Sequence, residues 1–278
     1  MSTLHSRPVL ITGCSSGIGL CCALGLKSRG YPVFATARRE RDLEMLESQG
    51  LEALYLELED RESIEKAVEQ VLSKTNGKLY GLFNNGAYGQ PGAVEDLSTE
   101  VLKRQFEVNL FSWHHLTRLV LPVMRRQGEG RIIQNSSVLG FVAMKYRGAY
   151  NASKYALEGL SDTLRLELEG SGVYVSLVEP GPITSKFREN AYRKWQENIE
   201  PEGSPHEAAY RALEERLTKK GPAVPFTLPP EAVLKRVIHA LESSRPQPRY
   251  YVTFPTYLFG ALKRVLSTRV LDALARKY

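Results

Sequence analysis

The chain has only three cysteines in 278 residues, and Cys14, Cys21 and Cys22 all fall within nine positions. So placed they cannot tie distant segments together, which excludes a disulfide scaffold and points to a reducing compartment. No window approaches the roughly 18 uninterrupted apolar residues of a membrane-spanning helix. Met1 to Pro8 holds no apolar stretch of signal-peptide length, so the expected location is the cytoplasm. Histidine is scarce, and His5, His114, His115, His206 and His239 form no ligand spacing with cysteine, so no metal site is expected. The same five histidines lie away from any Ser-His-Asp arrangement, which argues against a serine hydrolase, and no Gly-Lys-Ser/Thr follows a glycine loop, which removes P-loop phosphoryl transfer. Neither sign of charge dominates: 37 Lys and Arg stand against 31 Asp and Glu. The positive excess gathers from Lys235 onward, where nine basic residues meet only Glu242 and Asp272. So local an excess argues against a nucleic-acid partner.

Apolar material is ample, at 42% of the chain, and it is periodic. Short β-branched or aromatic runs (Val9 to Thr12, Val33 to Thr36, Ala53 to Leu58, Leu79 to Asn84, Arg131 to Asn135, Val173 to Val178, and a seventh near Tyr250 to Thr253) predict strands. Stretches of helical period lie between them, near Ile18 to Arg29, Glu40 to Ser48, Ser63 to Lys74, Thr99 to Arg126 and Tyr150 to Glu169. Alternation of this kind predicts a single α/β domain over 1–278, a doubly wound parallel sheet with ligands at the carboxyl ends of its strands. From Ser185 to Pro229 the sequence turns polar and proline-punctuated, as a substrate lid over those ends would. Residues 254–278 read as a helical extension. Its stripe of Leu258, Phe259, Leu262, Leu266, Val270 and Leu274 is suited to core or subunit packing, or to peripheral contact with a membrane surface.

Three patterns carry chemistry. Thr12-Gly13-Cys14-Ser15-Ser16-Gly17-Ile18-Gly19 joins the first strand to a helix: Gly13 permits the tight exit, Gly17 lets backbone approach a pyrophosphate, and Gly19 lets the helix pack on the sheet. The second strand ends in Arg38 and Arg39 with no carboxylate to hold a ribose 2′-hydroxyl, which favours a 2′-phosphate. Tyr150 and Lys154 stand four apart on a helix, so that an ammonium can lower the phenol's pKa for acid–base work, and Ser137 ends a strand thirteen residues earlier.

Together with Asn84-Asn85, Asn109 and Pro180-Gly181, these residues resemble the short-chain dehydrogenase/reductase family over about 180 residues. The likeness is nearest to bacterial NADP-dependent aldehyde and ketone reductases and more distant to hydroxysteroid and retinol dehydrogenases. It implies a Rossmann-type sheet of seven strands ordered 3-2-1-4-5-6-7. It also implies Tyr150 as general acid, Ser137 holding the same substrate oxygen, Lys154 lowering the phenol's pKa and binding the nicotinamide ribose, and Asn109 holding a water that links Lys154 to solvent. Cofactor contacts are expected from Gly13, Ser15, Ser16, Gly17, Ile18, Gly19, Arg38, Leu58, Asn84, Tyr150, Lys154, Pro180, Gly181, Ile183 and Ser185. The implied activity is NADP(H)-dependent reduction of a small hydrophobic aldehyde or ketone by a homodimer or homotetramer. A hydroxysteroid- or retinol-type alcohol dehydrogenase and a non-catalytic NADP-sensing scaffold remain as alternatives. Three positions depart from the family pattern: Gly86-Ala87 inverts the usual Ala-Gly, Glu57 replaces an aspartate near the adenine, and Ser185, with Thr184 before it, replaces a threonine.

Overall fold

In the computed structural model, which describes residues 4–276, the strands are β1 Val9–Ile11, β2 Val33–Ala37, β3 Glu52–Tyr55, β4 Gly81–Asn84, β5 Gly130–Asn135, β6 Val173–Glu179 and β7 Arg249–Tyr251. They form one parallel sheet in the order β3-β2-β1-β4-β5-β6-β7. The helices are α1 Gly17–Ser28, α2 Glu40–Ser48, α3 Arg61–Lys74, α4 Thr99–Phe106, α5 Ser112–Gln127, α6 Gly148–Glu167, α7 Phe187–Asn198, α8 Glu207–Thr218, α9 Glu231–Glu242, α10 Phe254–Val265 and α11 Thr268–Ala275.

Each central strand is covered on both faces, which is why β1, β2, β4 and β5 are buried along their whole length rather than at alternate residues. Alternation still decides the face: Leu10 packs into the core under α3, α5 and α6, whereas Val9 and Ile11 pack into the core under α1 and α9. Asp60 starts α3 by accepting from the backbone N–H groups of Glu62 and Ser63, and Ser98 starts α4 by accepting from Val101.

Two departures from the sequence reading matter for the site. The single helix expected over Thr99 to Arg126 is interrupted by a π-helical segment, Glu107–Phe111, with Asn109 at its centre. The apolar stripe of the tail is not one helix either, because Leu266 takes extended backbone between α10 and α11. α10 turns Phe259 onto Val138, Leu139 and Val142, while Val265 and Val270 stay exposed. Among the described residues no helix is long and apolar enough to cross a membrane, and no cluster of His, Cys, Asp or Glu could hold a metal. Lys277, counted in the basic tail, lies outside the described residues.

Candidate active site

A cleft of about 790 Å³ opens at the carboxyl ends of the strands, and its floor is set by backbone. Gly13 leaves β1 at φ +71°, where a Cβ would sit 2.6 Å from Gly86 Cα. Gly17 turns at φ +58° beneath Ser185, and a Cβ on Gly19 would lie 2.2 Å from the Gly13 carbonyl oxygen. Thr12 Oγ1 accepts from the backbone N–H groups of Asn85 and Gly86 at 2.8 and 2.9 Å, and Asn85 Nδ2 donates to the Thr12 carbonyl at 3.0 Å. Asn135 Nδ2 in turn donates to Asn85 Oδ1 at 2.9 Å, so β1, β4 and β5 are laced together where they meet the cleft. The inverted Gly86-Ala87 has a steric reason here: a Cβ at Gly86 would press on Leu58 at 3.2 Å and on Gly13 N at 3.3 Å.

Ser15, Ser16, Ile18, Arg38, Leu58, Pro180, Gly181, Ile183, Ser185 and Thr184 all line the cleft. Ser16 is extended and makes no capping bond, which leaves the first N–H groups of α1 turned to the cleft. Arg38 faces Glu57 across 3.2 Å, so the residue expected near the adenine instead holds the guanidinium. Two expected cofactor residues sit elsewhere. Asn84 is fully buried and donates to Thr117 Oγ1 and Gln134 Oε1, because the strand's alternation turns it into the core and gives the cleft to Asn85. Gly19 acts behind the cradle, as helix-to-loop packing.

The catalytic candidates come from β5 and α6. Ser137 leaves β5 with its Oγ accepting from Leu139 N–H at 3.1 Å and hydrogen-bonded to the Tyr150 hydroxyl. Tyr150 and Lys154 share a face of α6, and Asn151 between them pins the loop after β5 by donating to the Leu139 and Val142 carbonyls at 2.9 and 2.8 Å. Lys154 is 1% exposed, donates to the Asn135 carbonyl at 2.8 Å and lies 4.2 Å over the Trp113 ring. Burial brings its ammonium down to about 7, with Glu158 opposing that fall. Burial also pushes the Tyr150 phenol up to about 12, and the Ser137 hydrogen bond alone works against it. The Lys154 ammonium, held by the Asn135 carbonyl and the Trp113 ring, also lies 5.6 Å from the centre of the Tyr150 ring, beside the phenol whose pKa the sequence reading has it lower. Burial favours the protonated phenol, the form an acid needs.

Asn109 does not line the cleft. Its Oδ1 accepts from Tyr88 N–H at 3.3 Å, and its Nδ2 donates to the Tyr88 carbonyl at 2.9 Å and to Ser153 Oγ at 3.3 Å. It ties the π-helical segment to α6 and to the loop after β4, which makes it a positioning residue.

Sequence reasoning missed a buried acid pair behind the site. Glu158, one turn past Lys154, accepts from Ser136 Oγ and faces Glu179 at the end of β6. Arg249 reaches Glu158 at 3.0 Å, Glu179 at 3.4 Å and Asp162 at 2.7 Å. Burial, then the neighbouring Glu158, raise the Glu179 carboxyl to about 9. The spacing of Glu158 from Lys154 was a usable signal; Glu179 and Arg249 give none until the sheet brings them together.

The lid divides. Phe187, Leu213, Leu217, Val224 and Phe226 line the cleft, and Phe187 packs edge-on to Tyr150 at 5.4 Å between ring centres. Trp195 and Tyr210 instead form the lid's own small core, with Tyr192 packed against it. In the loop after β5, Val138, Leu139 and Met144 reach the cleft while Phe141 and Val142 do not. α10 adds a wall of Phe254, Pro255, Leu258 and Phe259 that the tail's sequence did not announce.

Residues 7–196 match the family described as short chain dehydrogenase. The chain is a member of that family. The dehydrogenase is 43% identical to the uncharacterized oxidoreductase YbbO of Escherichia coli (strain K12), over 96% of this chain and 93% of that one. Its fold matches the crystal structure of a single-residue variant of actinorhodin polyketide ketoreductase with NADPH (28% identity, TM-score 0.72, 91% of this chain and 97% of that one). It also matches a short-chain dehydrogenase/reductase from Burkholderia phymatum in complex with NAD (24% identity, TM-score 0.78, 99% and 97%), a likeness of fold alone. This short-chain dehydrogenase is therefore an oxidoreductase of the CH–OH/C=O class with a nicotinamide cofactor, and the glycine turn leading into the start of α1, which has no side-chain cap, fits the phosphates of such a group.

Proposed function

We propose that this dehydrogenase reduces the carbonyl of a hydrophobic aldehyde or ketone with NADPH. The observation that carries the reading is the set of Ser137, Tyr150 and Lys154 lining one cleft walled by apolar side chains of α7, α8 and α10, with Lys154 Nζ 5.6 Å from the centre of the Tyr150 ring. Gly13, Ser15, Ser16, Gly17 and Ile18 would hold the cofactor's pyrophosphate, Arg38 its 2′-phosphate, and Ile183 and Ser185 its nicotinamide end. When bound, the reduced nicotinamide supplies a hydride to the carbonyl carbon. The protein's own residues do the rest. Ser137 Oγ and the Tyr150 hydroxyl take hold of the carbonyl oxygen, and the Tyr150 proton passes to that oxygen as its charge grows, giving the alcohol and a phenolate. Lys154, on the same helix face, carries the positive charge that meets the phenolate once formed. Phe187 packs edge-on against the Tyr150 ring from the lid side.

The preference for NADPH rests on Arg38 and on the missing carboxylate at the end of β2. Glu57 opposes it in part, since a 2′-phosphate must displace that carboxylate from the guanidinium.

The test is the initial rate of NADPH and NADH oxidation against medium-chain aldehydes, aryl ketones, steroid ketones and retinal, for the wild-type protein and Tyr150→Phe. Turnover of apolar carbonyls is expected to fall roughly 10²- to 10⁴-fold in the variant, with NADPH affinity kept within about twofold. A variant that binds NADPH and keeps most of the turnover removes Tyr150 from the acid's role.

A further inference from the structure

The acidic and basic side chains of the cleft are unevenly shared between its two ends. At the adenosine end Arg38 is matched by Glu57 and Arg104 by Glu59. Under the lid the cleft is lined by Arg147, Lys186, Arg188, Arg193, Lys194 and Arg216, and no carboxylate lines it there. Most of these cations are occupied or exposed: Lys194 and Arg193 pair with Glu197, and Arg188 donates to the Lys219 and Gly221 carbonyls.

Arg216 differs from the others. It lies on α8 between Leu213 and Leu217, both buried lining residues, and it is itself half-buried. Among the described residues no hydrogen bond or ion pair reaches its guanidinium, and burial lowers its pKa with no acid to offset the effect. A guanidinium keeps its charge at any physiological pH, and a charge taken out of water without a partner is costly. An oxyanion held by two parallel N–H donors offsets that cost better than any neutral group.

We propose that Arg216 is the anion-recognising residue of the substrate pocket, so that the substrate is an amphipathic carbonyl compound: an apolar chain with the carbonyl at Tyr150 and a carboxylate, sulfonate or phosphate at Arg216. This rests on the carbonyl-reductase reading and narrows it, turning the pocket away from neutral steroids and retinoids. The apolar span between the two ends is met by Phe187, Leu213, Leu217 and Leu258.

Matched pairs of ω-oxo alkanoates of four to twelve carbons and their neutral methyl esters, reduced with NADPH, test the proposal. The wild-type protein is expected to show a KM at least tenfold lower for the best acid than for its ester. Arg216→Ala should raise the KM of the acid tenfold or more and leave the ester's KM and the NADPH affinity within about twofold. Arg216→Lys should restore part of the acid's advantage, and an unchanged melting temperature in each variant shows that the fold is kept. No preference for the acid at any length, an equal loss for acid and ester, or a loss of NADPH affinity in its place overturns the proposal. If neither acid nor ester is reduced, the carbonyl-reductase reading fails. Arg216 is then read from the binding of saturated alkanoates and the corresponding alcohols to the NADP-loaded protein. Tighter alkanoate binding that Arg216→Ala abolishes supports it, and equal binding of the two overturns it.

Discussion

In the cofactor half of the cleft, geometry is set by backbone atoms from one contiguous run, Thr12 to Gly19, locked against Asn85 and Gly86 by hydrogen bonds of 2.8 to 3.0 Å. In the substrate half it is set by side chains from the loop after β5, α7, α8, the 222–227 loop and α10, which meet only in the folded chain. The first kind of construction admits no added atom and demands a fixed spacing in sequence. The second needs only apolar bulk and a few charges, which many arrangements supply. One half thus constrains chemistry and the other leaves room for selection of substrate.

The sharpest way to break this contrast is to add one methyl group to each half. Gly19→Ala places a Cβ 2.2 Å from a carbonyl oxygen and 2.7 Å from Asn85 Nδ2, and neither can yield without moving the loop. Calorimetry is expected to show a loss of roughly 1–3 kcal/mol in stability, and titration at least a tenfold loss of NADPH affinity. In the lid, Gly203→Ala meets nothing within 4 Å but sits at φ +77°, so it should cost about 1–2 kcal/mol of backbone strain and leave NADPH affinity alone. Equal effects of the two on cofactor binding would falsify the contrast.

A smaller effect sharpens it within the cofactor half. Arg38 acts through a side chain whose removal leaves the backbone cradle untouched. Arg38→Ala should lower NADPH affinity ten- to a hundredfold, about 1–3 kcal/mol for a charge-assisted contact, while NADH binding changes little. Unchanged discrimination between the two cofactors would show that the 2′-position is read elsewhere.

The same division explains what could be read in the sequence. The parallel sheet and the cradle followed from short runs and glycine spacing, since strands buried on both faces and a phosphate-facing turn leave strict local patterns, whereas the strand order came only with the family resemblance. Asn84 and Asn85 are neighbours in sequence, and only the register of β4 against β1 and β5 decides that the second reaches the cleft. Asn109 was legible as a polar residue inside a helix, but its partners, Tyr88 and Ser153, lie 21 and 44 residues away. The Tyr150–Lys154 spacing showed the shared helix face, whereas the direction of the ammonium depends on Asn135 and Trp113, which spacing does not encode. Likewise the stripe of the tail fixed an apolar face for Phe259 without saying that α10 closes the cleft.

The acid pair behind the site joins the two halves, and its effect is read as a pH dependence. Glu158, Glu179, Asp162 and Arg249 meet from α6, β6 and β7, with Ser136 from the end of β5 and Lys154 one turn away. Glu179 binds its proton more tightly in the folded state, up to about 9, than the usual carboxyl near 4.5. The folded protein therefore holds a proton that the unfolded chain has released, and this contribution to stability is present below 4.5 and is lost as pH rises toward 9. Lys154, lowered to about 7, works in the opposite sense above that pH, because there the unfolded chain binds the extra proton. The quantity to measure is accordingly the difference between wild type and Glu179→Gln. The glutamine keeps the neutral shape and cannot ionise, so its stability relative to wild type should grow as pH rises from about 5 to about 9, by at most about 1.4 kcal/mol per pH unit. Chemical denaturation at about pH 5, 7 and 9 reads the slope. Parallel stability curves for the two proteins would mean that Glu179 is ionised in the fold and that Arg249 neutralises the pair without a shared proton.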